Sequence, residues 1–66
     1  MVRYKSLEEE AAALEGTRMR APNPRAGDEM QDMEVLDVLS VMYFVRFDSG
    51  NEEFVYKVAC RDIPKE

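Results

Sequence analysis

The stretch that decides the fold is YFVRFDSGNEEFVYKV, residues 43–58. Two runs rich in β-branched and aromatic residues, which favour strands, flank the polar turn Asp48-Ser49-Gly50-Asn51. This pattern predicts an antiparallel hairpin over residues about 42–58, folded about Ser49-Gly50.

A two-residue turn at Ser49-Gly50 fixes the register of this hairpin. The cross-strand partners are then Arg46 with Glu53, Val45 with Phe54, Phe44 with Val55, and Tyr43 with Tyr56. Side chains alternate between the two faces of a strand, so each partner pair shares a face. The predicted core face carries Tyr43, Val45, Phe54 and Tyr56, and the opposite face carries Phe44, Arg46, Glu53 and Val55.

A short helix is predicted over residues about 7–15. Ser6 is a good N-cap, Glu9 follows at capping-box spacing, and Gly16 suits a left-handed C-cap. A helix of this length does not persist alone in water, so its apolar stripe is expected to pack on the sheet. The stripe consists of Leu7, Ala11 and Leu14.

The middle of the chain mixes strand and loop signals. Residues 17–21 alternate as a short strand with Arg18 and Arg20 on one face. Two prolines predict a surface loop over 22–27. No Gly, Pro or Asn interrupts residues 33–47, so this stretch forms either one long bent strand or a tight turn near Ser40. We expect two strands, bent or joined near Ser40.

Together these elements predict a single α+β domain over residues 1–66, mainly β. A short N-terminal helix packs on a curved antiparallel sheet or small open barrel of four or five strands. The only cysteine, Cys60, excludes a disulfide within the chain and is expected to be a buried thiol. The C-terminal segment is expected to carry Ile63 into the core.

Composition argues against an enzyme. The chain has no histidine, no glycine-rich phosphate loop and no zinc-ligand spacing, so no catalytic residue, cofactor or metal is expected. A net charge of -5 disfavours nucleic acid and anionic membranes as partners. No apolar run reaches the ~20 residues that span a bilayer, and residues 1–5 lack the apolar core of a signal peptide. With its lone cysteine, the chain is expected to be cytoplasmic.

The densest group of charges is an acidic segment that begins after the predicted loop. Such charges either protect a sheet edge from unwanted pairing or form a docking patch for a basic partner surface. The leading interpretation is a non-enzymatic protein–protein interaction module, acting as adaptor, regulator or small inhibitor. The candidate partner-binding residues are Asp28, Glu29, Asp32, Glu34, Asp37, Phe44 and Val55.

The only basic cluster consists of Arg18, Arg20 and Arg25. These arginines either form salt bridges with the acidic residues or contact phosphate, with nearby aromatic rings supplying stacking surfaces. The second interpretation gives the alternative function, a small-barrel nucleic-acid-associated protein.

Residues 33–63 contain MEVLDVLS from Met33, YFVRFDSGN from Tyr43, EFVYKV from Glu53 and CRDI from Cys60. In this order the runs resemble the strands of Tudor-like small barrels of the Src-homology-3-like class. This resemblance implies a small barrel in which a short helical turn precedes the last strand. The family binds peptides, methylated side chains or nucleic acid, so the resemblance implies a binding module. No aromatic cage can be transferred to positions of this chain, which lacks tryptophan.

The apolar pattern of residues 35–41 yields a prediction about assembly. Valine and leucine fall on both faces of this stretch. Leaving several such side chains exposed to water loses several kcal/mol of stability, at ~25 cal/mol per Å2 of apolar surface. Either a two-fold homodimer covers them, or a closed barrel turns both faces inward. Sedimentation equilibrium at micromolar concentration is expected to show the dimer. A strict monomer of 7.6 kDa would contradict it.

Overall fold

The computed structural model describes residues 5–64, which form one helix and a five-stranded antiparallel sheet. The residues behind the signal-peptide argument lie largely outside this range. The sheet order is β4-β3-β2-β1-β5. The elements are α1 (Leu7–Leu14), β1 (Arg18–Asn23), a first 3-10 turn (Pro24–Ala26), β2 (Glu29–Val38), β3 (Met42–Phe47), β4 (Glu52–Tyr56), a second 3-10 turn (Lys57–Ala59) and β5 (Arg61–Asp62). The predicted mainly β, α+β fold is confirmed.

Helix α1 begins and ends close to where the sequence predicts. The Ser6 side chain accepts a hydrogen bond from the Glu9 amide at 3.2 Å, which caps the first turn. Gly16 has a φ of 83°, and its amide donates to the Val35 carbonyl at 2.8 Å, so the chain leaves the helix directly onto β2. Ala11 and Leu14 pack against the core, whereas Leu7 is exposed.

The predicted loop over residues 22–27 is wrong at its start. Pro22 and Asn23 continue β1 and pair with Met30 and Glu29. Because β5 pairs only with Met19 and Arg20, Pro22 lies on a free edge of β1, where a residue without an N–H is tolerated. The reversal then takes place in the first 3-10 turn and at Gly27 and Asp28, which have φ values of 63° and 64°.

The expected join near Ser40 is a tight hairpin turn. The Leu39 amide donates to the Met42 carbonyl at 2.8 Å, which leaves only Ser40 and Val41 between the paired residues. Before the turn, the register shifts between Val35 and Asp37. This bulge inserts one extra residue and reverses the facing of the rest of β2, so both Val35 and Val38 are buried. It explains why the sequence shows apolar groups on both faces of this stretch.

The hairpin formed by β3 and β4 is confirmed, but its predicted register is wrong by one residue. The partners are Arg46 with Glu52, Val45 with Glu53, Phe44 with Phe54, and Tyr43 with Val55. Three residues, not two, form the turn between Phe47 and Asn51, and Gly50 takes the third position with a φ of 104°. The faces of β4 are therefore exchanged: Val55 is buried, whereas Phe54 and Tyr56 are exposed.

The core lies on the face of the sheet that packs against Ala11 and Leu14 of α1. It includes the predicted thiol, but Ile63 is only half-buried and lies outside the core cluster. The alternative of a closed barrel is wrong, because β4 and β5 are the two unpaired ends of the sheet. The core residues are Ala21, Met33, Val35, Val38, Tyr43, Val45, Phe47, Val55 and Cys60.

The two hairpin registers make opposite predictions for neighbouring residues of β4. Val55→Asp is expected to cost more than about 3 kcal/mol, enough to unfold a small domain, because it buries an unpaired charge. Phe54→Asp is expected to cost about 1 kcal/mol, mainly through loss of its contact with the Phe44 ring. Urea unfolding followed by circular dichroism measures both values. The reverse order of stabilities would contradict the observed register.

Candidate functional site

A groove of about 400 Å3 opens between β4 and the turn that joins β1 to β2. This volume is within the usual range of ligand pockets, about 300–1,000 Å3. The groove is lined by Pro22, Pro24, Asp28, Phe54, Val55, Tyr56 and Ala59.

The groove runs along the edge of β4 and contacts residues from both faces of the strand. Its lining includes the three consecutive residues Phe54, Val55 and Tyr56, whose side chains alternate between the two faces of the strand. In the sheet order, β4 is paired with β3 alone. The groove therefore gives access to the backbone of an unpaired strand edge.

Two aromatic rings on this strand are exposed to solvent. Phe54 is 57% exposed and Tyr56 is 61% exposed. The Phe54 ring is supported by Phe44 on β3, with ring centroids 4.9 Å apart and an interplanar angle of 43°. This surface is not predicted from the sequence, because the two-residue turn assigned Phe54 and Tyr56 to the core. The signal that could have found it is the Asp-Ser-Gly run, which suits a three-residue turn with glycine in the last position.

A buried amide fixes the turn that forms the opposite wall. Asn23 is 1% exposed, and its Nδ2 donates to Gln31 Oε1 at 2.8 Å, with Ser49 Oγ at 3.2 Å and Asn51 Oδ1 at 3.3 Å also within reach. Its Oδ1 accepts from the Arg25 backbone amide at 3.0 Å and from Asn51 Nδ2 at 2.9 Å. This network joins the first 3-10 turn to the turn before β4, so both walls of the groove belong to one hydrogen-bonded unit.

A largely buried ion pair positions the second 3-10 turn, which supplies Ala59 to the groove. Lys57 Nζ lies 2.8 Å from Glu10 Oε1, and the two side chains are only 20% and 16% exposed. Lys57 Nζ also lies 5.4 Å from the centroid of the Tyr43 ring. The same contacts hold α1 against the hairpin.

Two of the predicted partner-binding residues, Asp28 and Val55, line the groove. Phe44 does not line it, but its ring contacts the ring of the lining residue Phe54. Val55 was expected on the face opposite the core; that expectation is wrong, because Val55 is buried and contributes to the groove floor.

The other predicted acidic residues do not form one surface. Asp32 lies 2.7 Å from Arg20, and Glu34 lies 3.6 Å from Arg46. Asp37 accepts a hydrogen bond from the Val38 amide at 2.8 Å, and Glu29 is exposed at the start of β2. Asp32 and Glu34 therefore belong to a ladder of opposite charges across the outer face of the sheet.

The three arginines of the alternative site each form an ion pair. Arg18 Nη2 contacts both carboxylate oxygens of Asp48, at 2.7 and 2.6 Å, and this hydrogen bond and the Asp48 charge raise the pKa of Arg18. Arg20 pairs with Asp32, and Arg25 lies 3.4 Å from Glu53. Arg18 and Arg20 lie at the start of β1, whereas Arg25 lies beyond its end, in the first 3-10 turn.

Comparisons with known proteins give no family: no protein-family model, curated protein or solved structure was found that matches the chain. Within residues 5–64, no helix is long and apolar enough to cross a membrane. The same residues bring together no group of three acidic or cysteine side chains that could hold a metal ion.

The buried thiol leads to a prediction about reactivity. Burial raises the pKa of Cys60, although the charge of Arg61 acts in the opposite direction, and Sγ lies 3.4 Å from the Tyr56 carbonyl. Because the thiolate is the reactive form, we expect iodoacetamide at pH 8 to label native protein at least about 10-fold more slowly than unfolded protein.

The raised pKa of Cys60 also makes the free energy of unfolding depend on pH. The stabilising contribution of the protonated thiol is fully present below the thiol's unfolded-state pKa of about 8.5, and it is lost as the pH rises through the higher folded-state pKa. Urea unfolding measured from pH 7 to pH 10 should show this loss of stability at alkaline pH, and the Cys60→Ser variant should lack it.

The iodoacetamide experiment has its own contradicting outcome. Equal labelling rates in native and unfolded protein would contradict the burial of this thiol.

Proposed function

We propose that this protein is a non-enzymatic protein–protein interaction module that binds its partner along the edge of β4. The observation that carries the proposal is a pair of exposed aromatic side chains, Phe54 and Tyr56, on an unpaired edge strand beside an apolar groove. Aromatic side chains are enriched at the centres of protein interfaces, where they supply much of the binding energy.

The contrast between the two ends of the sheet supports this choice of surface. Proteins usually protect edge strands by making them short or charged. β5 follows that rule, since it consists only of the exposed charged residues Arg61 and Asp62. β4 is longer. It begins with Glu52 and Glu53, but Phe54 and Tyr56 then present exposed aromatic rings, whereas β5 has charged residues alone. A surface of this kind is typical of a binding site.

The resemblance to Tudor-like small barrels supports the same class of function. That family consists of binding modules. The second 3-10 turn of this chain precedes its last strand, but its sheet does not close into a barrel. Within the proposal, the protein acts in the cytoplasm as an adaptor, regulator or small inhibitor. The lone, buried cysteine fits a reducing compartment.

The alternative function, nucleic-acid association through Arg18, Arg20 and Arg25, has less support. Each of these arginines already has a carboxylate partner, so binding phosphate would require breaking an existing ion pair. The net charge of -5 also disfavours binding to the negatively charged phosphates of nucleic acid.

Capture experiments with matched variants test the proposal. Immobilised parent protein, Phe54→Ser, Tyr56→Ser and the control Leu7→Ser are incubated with lysate of the native cell, and bound proteins are quantified by mass spectrometry. Leu7 is an exposed apolar residue of α1 that does not line the groove. A partner should be retained by the parent and the control and reduced at least about 10-fold by each groove variant, because loss of an aromatic anchor costs about 2 kcal/mol or more. The proposal would be contradicted if the groove variants captured as much partner as the parent. It would also be contradicted if the protein bound only nucleic acid, in a salt-sensitive manner.

A further inference from the structure

We infer that the partner contributes an extended segment that adds to β4 as a sixth strand, with an apolar side chain in the groove and a cationic side chain at Asp28. This inference rests on the proposed function and specifies both its binding mode and the chemistry of its ligand. It is carried by three features of the described residues: the orientation of the β4 backbone, the lining of the groove and the charge at its rim.

The backbone of β4 offers hydrogen bonds to an added strand. Lys57 N donates to the Val41 carbonyl at 3.0 Å, and Phe47 N donates to the Asn51 carbonyl at 2.9 Å, so odd-numbered positions of this segment face β3. In an antiparallel ladder, alternate residues direct their backbone groups to opposite sides. Phe54 N–H and C=O therefore point toward the groove, where they are placed to form a two-bond pair with an extended peptide.

The side chains around that edge define the ligand further. Two prolines, two aromatic rings and an alanine make the groove mostly apolar, so it suits an aliphatic or aromatic side chain. In an extended segment, alternate side chains point to the same face, so apolar residues at every second position reach the groove wall. The added strand thus needs an alternating pattern of apolar and polar residues.

Asp28 supplies the charge preference. It lines the groove and is exposed, and within residues 5–64 no lysine or arginine forms an ion pair with it. Glu29, the next residue, is also exposed. Together with the net charge of -5, these carboxylates favour a lysine- or arginine-containing segment and disfavour a phosphate backbone.

A second copy of the chain is a poorer occupant of this edge. Two copies would bring together two acidic molecules, each with a net charge of -5, and two Asp28 carboxylates. Like charges juxtaposed at an interface oppose association. The homodimer predicted from the sequence therefore becomes an outcome of the test and not the expected occupant.

The probe is a library of random linear dodecapeptides displayed on phage and selected on the immobilised parent protein. Enriched peptides are expected to alternate apolar residues with lysine or arginine. When an enriched peptide is synthesised and added to 15N-labelled protein, the amide resonances of Phe54 and its neighbours should shift most.

Backbone N-methylation of that peptide then tests strand addition. Methyl groups at the two or three alternate positions that pair with β4 should weaken binding at least about 10-fold, and methyl groups at the intervening positions should leave it unchanged. A ligand that only fills the groove with its side chains would not show this alternation.

Matched carboxylate variants test the charge. Asp28→Asn, which keeps a residue tolerant of the left-handed conformation at φ 64°, should weaken binding about 3- to 10-fold and reduce its dependence on salt. The control Asp62→Asn on β5 should change neither value, since Asp62 does not line the groove. Equal effects of the two variants would overturn the assignment of the cation to Asp28.

The outcomes separate this inference from the function on which it rests. Strand addition by a basic segment is overturned if the enriched peptides are acidic, or if backbone N-methylation does not change their affinity. Either result is still compatible with a groove that binds proteins. A dimer in sedimentation that Phe54→Lys abolishes assigns the edge to a second copy and also overturns the inference. If selection enriches no peptide and lysate capture finds no groove-dependent partner, both the inference and the proposed function fail.

Discussion

The buried amide of Asn23 is the interaction on which the geometry of the groove depends. Asn23 donates to the Gln31 side chain on β2, accepts from the Arg25 backbone amide in the first 3-10 turn, and accepts from the Asn51 side chain before β4. A chain of 66 residues buries only about 60% of its unfolded surface, so its apolar core alone leaves little stability in reserve. Inside such a core a fully satisfied polar network specifies one arrangement, because any other arrangement would leave several buried groups without partners. Here that arrangement sets the first 3-10 turn opposite the edge of β4.

Two single-residue irregularities decide which side chains remain in solvent. The bulge between Val35 and Asp37 reverses the facing of β2 and turns Val38 into the core. The three-residue turn closed by Gly50 shifts β4 by one position, so Val55 enters the core and the two aromatic rings leave it. Because the side-chain period of a strand is two, each irregularity has an all-or-none effect on every later residue of its strand. The exposed aromatic surface is a result of this geometry.

The charges of the molecule divide into two groups with different consequences. On the outer face of the sheet, Arg20 and Arg46 are matched with carboxylates of the neighbouring strands, which contributes to cross-strand pairing and leaves little free charge for a partner. At the rim of the groove, Asp28 has no such cation among the described residues. Among the described residues, Arg18, Arg20, Arg25 and Arg46 pair with carboxylates, whereas Asp28 beside the apolar strand edge pairs with no cation. This distribution of charge supports the proposed cationic, extended partner over a nucleic acid.

The sequence by itself determined the features that depend on neighbours along the chain. The caps of α1, the existence of the hairpin over residues 42–58, the join near Ser40, and the burial of Val45 and Cys60 all arise from local propensity, turn residues and alternation. Its candidate partner-binding residues include Asp28 and Val55, which line the groove, although Val55 was assigned to the wrong face. Only the tertiary structure decided the register of β4, the bulge in β2, the continuation of β1 through Pro22 and the pairing of β5 with β1. These features depend on backbone dihedral angles at single residues and on which strands become neighbours, and segments far apart in the chain compete to set both. The groove forms where β4 and the end of β1 come together without pairing, a place that no local stretch of the sequence specifies.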